Sequence, residues 1–343
     1  MNMEIDLEKI GINKKIRLKD VSKIDIKKDL MFENIFGEIL NLEKKIRCKI
    51  NIDTTRGKIN GGYGCIQFGK RINHNGLIQD CAIKKLLVNK PYNILIEIIL
   101  QHSSYSVLHK YNIGYMIPEI YDIYNKIDSD SEHFSPKYTI HFSMEEIKGV
   151  FIDDYLRHSK TPEKDFIISL MQICIVFNLL ETHLNLNHRD LRYTNIYIVE
   201  SPKVIHITIN NKKYTLHSNF HICVLDFGFA CIGEKNSILN AAGGIIQDEE
   251  KCMKSGRDLF QLIISLWCKK NIRNKMNPLF IEDINNLLKT EHKDYIQVMS
   301  KHSEDSKWPY NITCGDNFSF PPLAPEKLFE KLYNMWHKHS KNI

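Results

Sequence analysis

The sequence predicts an α+β protein of two unequal lobes, a small β-rich one carrying a single helix and a larger helical one after it. Three observations lead there. Over residues 50–139, short β-branched runs alternate with Gly and Asn turns, and one helical segment, 92–101, interrupts them just after Pro91. From Lys148 onward, apolar residues recur at helical spacing over 151–158, 165–184, 258–268, 281–288 and 327–337. With 343 residues, 43% of them hydrophobic, the chain can bury a core in each lobe. The expected division is an N-terminal extension over 1–49, a first lobe over 50–147 and a second over 148–343.

Composition narrows the function classes. A net charge of +6 is too mild to argue for a nucleic-acid binder, so no direct nucleic-acid contact is expected. No apolar stretch follows Met1, and the longest apolar run, 166–180, is broken by Ser169, Gln172 and Asn178, short of a bilayer span. A soluble, intracellular monomer without membrane contact is expected. The nine cysteines stand singly, with no CxxC pair, which predicts reduced thiols and neither a disulfide framework nor a zinc site. The extension reads as a charged, partly amphipathic helix over 25–46, and residues 128–136 read as a polar loop.

Four groups of residues carry chemistry. KINGGYGCI, 58–66, sets Gly61, Gly62 and Gly64 between two strand-like runs, where missing Cβ atoms let a backbone approach phosphate; Ile59 stands where a fuller GxGxxG would have its first glycine. CAIK, 81–84, puts Lys84 on a strand-like run one hairpin later. Glu97 is the one acidic residue between Asp80 and Glu119 and sits among Ile94, Leu95, Ile96, Ile98 and Ile99, so its carboxylate needs a partner, for which Lys84 is the natural candidate. NHRDLRYTN, 187–195, follows the long apolar helix and holds Asp190 and Asn195 at the spacing of a hydroxyl-accepting carboxylate and a metal-holding amide. Finally, Asp226, Phe227 and Gly228 end the apolar run FHICVL, placing a second metal-binding carboxylate after a buried strand. Two metal-binding groups, one phosphate-binding cation and one base are the set that phosphoryl transfer needs.

In this order the motifs resemble the eukaryotic-type protein kinase superfamily from about residue 50 to the end of the chain. The resemblance implies the two-lobed protein kinase fold and transfer of the γ-phosphoryl group of ATP, with Mg²⁺, to a protein hydroxyl. It implies catalytic roles for Lys84, Glu97, Asp190, Arg192, Asn195 and Asp226, with metal on Asn195 and Asp226. Nucleotide contacts are expected from Ile59, Gly61, Gly62, Tyr63, Gly64, Ile66, Ala82 and Lys84. Met144, Glu145 and Ile147 resemble a gatekeeper and hinge, whose backbone would meet adenine at Glu145 and Ile147. Asp258, in SGRDLFQLIISLW, resembles the aspartate that anchors the catalytic loop, and is equally a helix N-terminal charge favoured by the macrodipole.

Within the superfamily the chain is most similar to haspin-like serine/threonine kinases. The stretch between Asn195 and Asp226 is long and contains VIHITINNKKYTL, a hairpin expected to turn at Asn210 and Asn211; Arg192 stands where many serine/threonine kinases have lysine; and no APE tripeptide lies between Asp226 and Asp258. Unlike haspins, the chain keeps DFG. That likeness implies Ser or Thr in a basic protein tail as substrate, with Asp153, Asp154 and the acidic run 248–250 as a matching negative surface. Over 229–257 only Ser237 and Ser255 offer hydroxyls, so activation by loop phosphorylation is not expected. A pseudokinase serving as an ATP-binding scaffold and a small-molecule kinase on a related fold are the alternatives. Substituting Lys84 or Asp226 is expected to remove transfer and spare the fold.

Overall fold

The β-branched runs of the first lobe pair into one antiparallel sheet. In the computed structural model the described residues are 49–60, 64–73, 75–86, 91–127, 138–232, 239–241, 254–288 and 323–339. The extension through residue 48, Gly61, Gly62, Tyr63, the polar loop 128–136, Ser237 and the acidic run 248–250 lie outside them. The strands are β1 (Lys49–Ile52), β2 (Ile59–Asn60), β3 (Gly64–Ile72), β4 (Ile78–Leu86), β5 (Ile120–Ile127) and β6 (Tyr138–Glu145). Their order is β1-β3-β4-β6-β5, with β2 also on β3. Asn73 shapes the β3–β4 turn, its side-chain oxygen accepting from the Asn75 and Leu77 amides at 3.0 and 2.9 Å. Register sets Ile66 opposite Lys84 and Ala82 opposite Met144.

The lobe's one α-helix among the described residues, α1 (Pro91–Lys110), runs nine residues beyond the expected end at 101. Past residue 101, Ser103 and Ser104 are buried and donate their hydroxyls back to the Ile99 and Leu100 carbonyls at 2.6 and 2.8 Å. Side chains satisfied within the helix do not end it.

The second lobe is built on α3 (Pro162–Leu184), preceded by β7 (Val150–Phe151) and α2 (Ile152–His158). Most of α3 is buried, and Asn185 caps it in the left-handed region at φ 46°, its amide donating to the Glu181 carbonyl at 3.1 Å. By length and composition α3 is the one described helix able to cross a membrane, longer than the broken apolar run suggested; 83% of its most apolar stretch is buried inside the protein, as in a core helix.

Next come β8 (Leu186–Asn187), β9 (Ile196–Val199), β10 (Lys203–Ile209), β11 (Lys212–Ser218), β12 (His221–Val224), β13 (Cys231–Ile232) and β14 (Leu239–Asn240). They are followed by α4 (Arg257–Trp267), α5 (Lys270–Arg273), α6 (Pro278–Leu287) and α7 (Pro325–His339). Phe166 of α3, Trp267 of α4 and Phe280 of α6 meet in one aromatic cluster, with centroids 5.7 to 6.5 Å apart. The fold is thus the expected α+β one, a β-rich lobe followed by a helical lobe, consistent with a kinase-like two-lobed architecture.

β10 and β11 form the expected hairpin, with Asn210 and Asn211 at φ 49° and 63°. Two consecutive left-handed residues match the right-handed twist of the strands, and asparagine tolerates the conformation. Ile205, Ile207, Ile209 and Leu216 are buried on one face, while Tyr214 packs on Phe329 and Tyr333 of α7 at 5.0 Å each.

Thiol chemistry departs from expectation at one position. Cys65, Cys81, Cys174, Cys223 and Cys268 are free and buried, whereas Cys231 is disulfide-bonded. Single spacing in sequence carries no information about which strands and loops meet, so the pairing had no local signal.

Candidate active site

The first half of the site is the strand lysine and its carboxylates. Lys84 projects from β4 and Glu97 from the first half of α1; both are buried, at 7% and 1% exposure, and the Lys84 ammonium donates to Glu97 Oε1 in a short contact. The same ammonium donates to Asp226 Oδ1 at 2.6 Å, so one cation from the small lobe joins carboxylates from both lobes. Burial works against the charge on Lys84, but Asp226 and Glu97 overcome it and raise its pKa. Burial pushes the Glu97 carboxyl up, against the pull of Lys84. Asp226 is desolvated in part and yet held down at about 2, because Lys84 sits against it. Its side chain keeps 47% of its surface accessible.

Asp226 stands at φ 63°, a left-handed conformation that costs energy for a residue with a Cβ. The turn folds the carboxylate back so that Oδ1 accepts from the Gly228 amide at 3.3 Å as well as from Lys84. A Cβ at Gly228 would lie 3.1 Å from that same oxygen and 3.5 Å from Glu97 Oε2, so glycine leaves the room the turn needs.

The second half is the loop between β8 and β9. Asn195 donates its side-chain amide to the Asp190 carbonyl at 2.8 Å and to Asp190 Oδ2 at 3.0 Å, and Arg192 Nε approaches Asp190 Oδ1 at 3.2 Å. Burial pushes the Asp190 carboxyl up, Arg192 pulls it down, and Asp226 is near enough for its charge to raise it further. His188 ties the halves together: its Nε2 bonds the Leu225 carbonyl at 2.9 Å and its ring packs on Phe227 at 5.0 Å. Asp258 takes the amides of His188 and Arg189 on Oδ2 and Oδ1 at 2.7 and 2.8 Å, so its carboxylate anchors this loop in addition to facing its own helix start.

Two polar residues that sequence reasoning passed over join it from α4. Gln261 Oε1 accepts from the Leu191 amide at 3.0 Å and its Nε2 donates to the Arg189 carbonyl at 3.3 Å; Ser265 Oγ accepts from the Tyr193 amide at 3.3 Å. Their signal was available as polar residues at positions 258, 261 and 265, one helical face of an otherwise apolar segment.

The remaining expected contacts are placed less completely. Ala82 is buried, Ile66 and Met144 are partly buried, and Ile59 is 50% exposed on β2. The Glu145 amide already donates to the Glu119 carbonyl at 2.8 Å, which leaves only its carbonyl for an adenine. Ile147 lies in the irregular segment between β6 and β7. Of the expected negative surface, Asp153 has Lys269 at 3.9 Å and Asp154 pairs with Arg157.

The donor set suits Mg²⁺. Both bonds to Asp226 fall on Oδ1, leaving Oδ2, and Asn195 commits its amide nitrogen to Asp190, leaving Oδ1. Two hard oxygens, with water and phosphate completing the shell, match the way this ion is held on phosphate substrates. Among the described residues no group of three or more His, Cys, Asp or Glu side chains forms a self-sufficient metal site.

Residues 142–242 match the family model of poxvirus serine/threonine protein kinases. The match covers less than a third of the chain; it takes in Asp190, Asn195 and Asp226 and stops short of Lys84, Glu97 and Asp258. A search among curated proteins finds no match. The family match and the two-lobed architecture together support a protein kinase-like superfamily and a kinase-like function for this chain.

Proposed function

We propose that the protein is an ATP-dependent protein kinase that phosphorylates Ser or Thr hydroxyls, with lobes over 50–147 and 148–343. The observation that carries this reading is the convergence of Lys84, Glu97 and Asp226 in one ion-paired cluster, close enough to the Asp190–Asn195 pair for their charges to interact. Lys84 holds phosphate oxygens while Glu97 fixes its direction. Asp190 accepts a hydrogen bond from the incoming hydroxyl and orients it for in-line attack, and Arg192, beside it, meets charge on the transferred group. Asn195 and Asp226 would hold Mg²⁺, which supplies charge neutralisation on the phosphates. Buried Ala82 and the partly buried Ile66 and Met144 are the apolar contacts for adenine.

The haspin-like affinity is supported by the β10–β11 hairpin between Asn195 and Asp226 and by Arg192. A basic tail as substrate has less support, because cations already meet Asp153 and Asp154.

The test is transfer from labelled ATP with Mg²⁺ to a panel of Ser-, Thr- and Tyr-containing proteins. Wild type is expected to label Ser and Thr, and Asp190→Asn to lower kcat by roughly 10²- to 10⁴-fold. Nucleotide binding without transfer to any protein would overturn the reading in favour of a scaffold or a small-molecule kinase.

A further inference from the structure

We infer that Gln261 and Ser265 are positioning residues that, with Asp258, make the buried helix α4 a template for the catalytic loop; the inference rests on the kinase reading of the loop. Asp258, Gln261 and Ser265 are spaced three and four residues apart, so they share one face. They take the backbone amides of His188, Arg189, Leu191 and Tyr193. Gln261 has the special place among them. Its two side-chain atoms bond the Arg189 carbonyl and the Leu191 amide, which clamps the backbone on both sides of Asp190.

The clamp acts where the backbone most needs it. Arg189 lies at φ 66°, a left-handed conformation that a side chain as large as arginine adopts only when its surroundings over-determine it. Gln261 is fully buried and Ser265 is 3% exposed, in a helix whose other residues past Asp258 are apolar. Buried polar groups are costly without partners, and these two find theirs in the loop; Ser265 also donates to the Leu262 carbonyl at 2.8 Å. Holding the loop in this conformation holds the Asp190 carboxylate where Asn195 and Arg192 meet it. Lys84 and Met144, which serve the nucleotide, lie on strands that α4 does not hold in this way.

The experiment compares wild type with Gln261→Met, which keeps the shape and removes both hydrogen bonds, and with Gln261→Glu, which restores the acceptor for Leu191. Gln261→Met is expected to lower kcat on the order of tenfold to a hundredfold while KM for ATP stays within about twofold, and Gln261→Glu to recover part of that loss. Amide exchange over 186–193 is expected to quicken in Gln261→Met with exchange in α3 unchanged. A folded Gln261→Met with wild-type kcat, or with unchanged exchange over the loop, would overturn the inference. If wild type itself transfers no phosphate, the kinase reading fails, and the exchange arm still decides whether α4 holds the loop. Should Gln261→Met fail to melt cooperatively, Ser265→Ala carries both arms with the same expected direction.

Discussion

Lys84 serves the core as well as its proposed role as phosphate-binding cation, which alters what its removal should do. Sequence reasoning expected Lys84→Ala to leave the fold largely intact, on the view that the side chain serves the nucleotide more than the core. The structure buries it against Glu97, so truncation leaves a carboxylate at 1% exposure without its cation. Losing one member of a buried pair typically costs about 3–5 kcal/mol. Here the cost should fall toward the low end, because burial raises the Glu97 carboxyl and a proton can take the place of the lost cation. Urea unfolding of Lys84→Ala is expected to show a loss of roughly 3 kcal/mol, whereas Asp226→Asn, on a side chain 47% accessible, should lose transfer with a much smaller stability change. Asp190 gives a second expectation. Its carboxyl is raised by burial, and the role proposed for it requires the ionised form. The rate should therefore fall as pH drops through a value above the ordinary 3.8 of an aspartate, and a pH profile of kcat/KM should show that acid limb.

Among the elements, the β10–β11 hairpin offers the sharpest local test. Asn210 and Asn211 both sit at positive φ, a conformation that glycine adopts freely and β-branched residues resist. Asn211→Gly should leave thermal stability unchanged or slightly raised, and Asn211→Val should lower it by about 1–2 kcal/mol, read as a drop in melting temperature of a few degrees. This hairpin was legible in sequence because its signal is local: alternating residues around an Asn-Asn turn. Lys84, Asp190, Asn195 and Asp226 could be singled out for the same reason, since they sit in short motifs, and the structure brings them near one another; their catalytic roles belong to the proposed function. Helix α1 was legible in kind and not in length, since the polar Ser103 and Ser104 past residue 101 bond within the helix and prolong it. Gln261 and Ser265 were not recognised because their partners lie about seventy residues away in sequence, and nothing in an apolar helix announces what a polar residue faces. The sequence named the Glu145 backbone as an adenine contact without saying which group; that its amide is taken by the Glu119 carbonyl, leaving the Glu145 carbonyl, depends on how the sheet pairs.

At the scale of the whole molecule, the site is assembled from parts with very different amounts of support. Lys84 and Glu97 come from the sheet and its helix, Asp190 and Asn195 from a loop, and Asp226 from the end of β12's run, with one ammonium spanning the lobes. The loop is carried by α4, whose residues from Arg257 to Trp267 are all buried and whose Trp267 joins Phe166 and Phe280 at the centre of the second lobe. Its entrance is equally fixed: Gly256 stands at φ 77°, and a Cβ there would lie 2.6 Å from the Leu323 backbone. On the proposed kinase reading, chemistry mounted on a helix buried along its whole length inherits the endurance of the interior. On slow heating, then, the protein should keep working until it melts: the temperature at which catalysis is lost and the temperature at which calorimetry records global unfolding should coincide within about 2 °C, with no earlier fading of turnover. Many enzymes tire before they unfold because their working groups ride on the outermost loops; the proposed kinase is arranged to fail all at once.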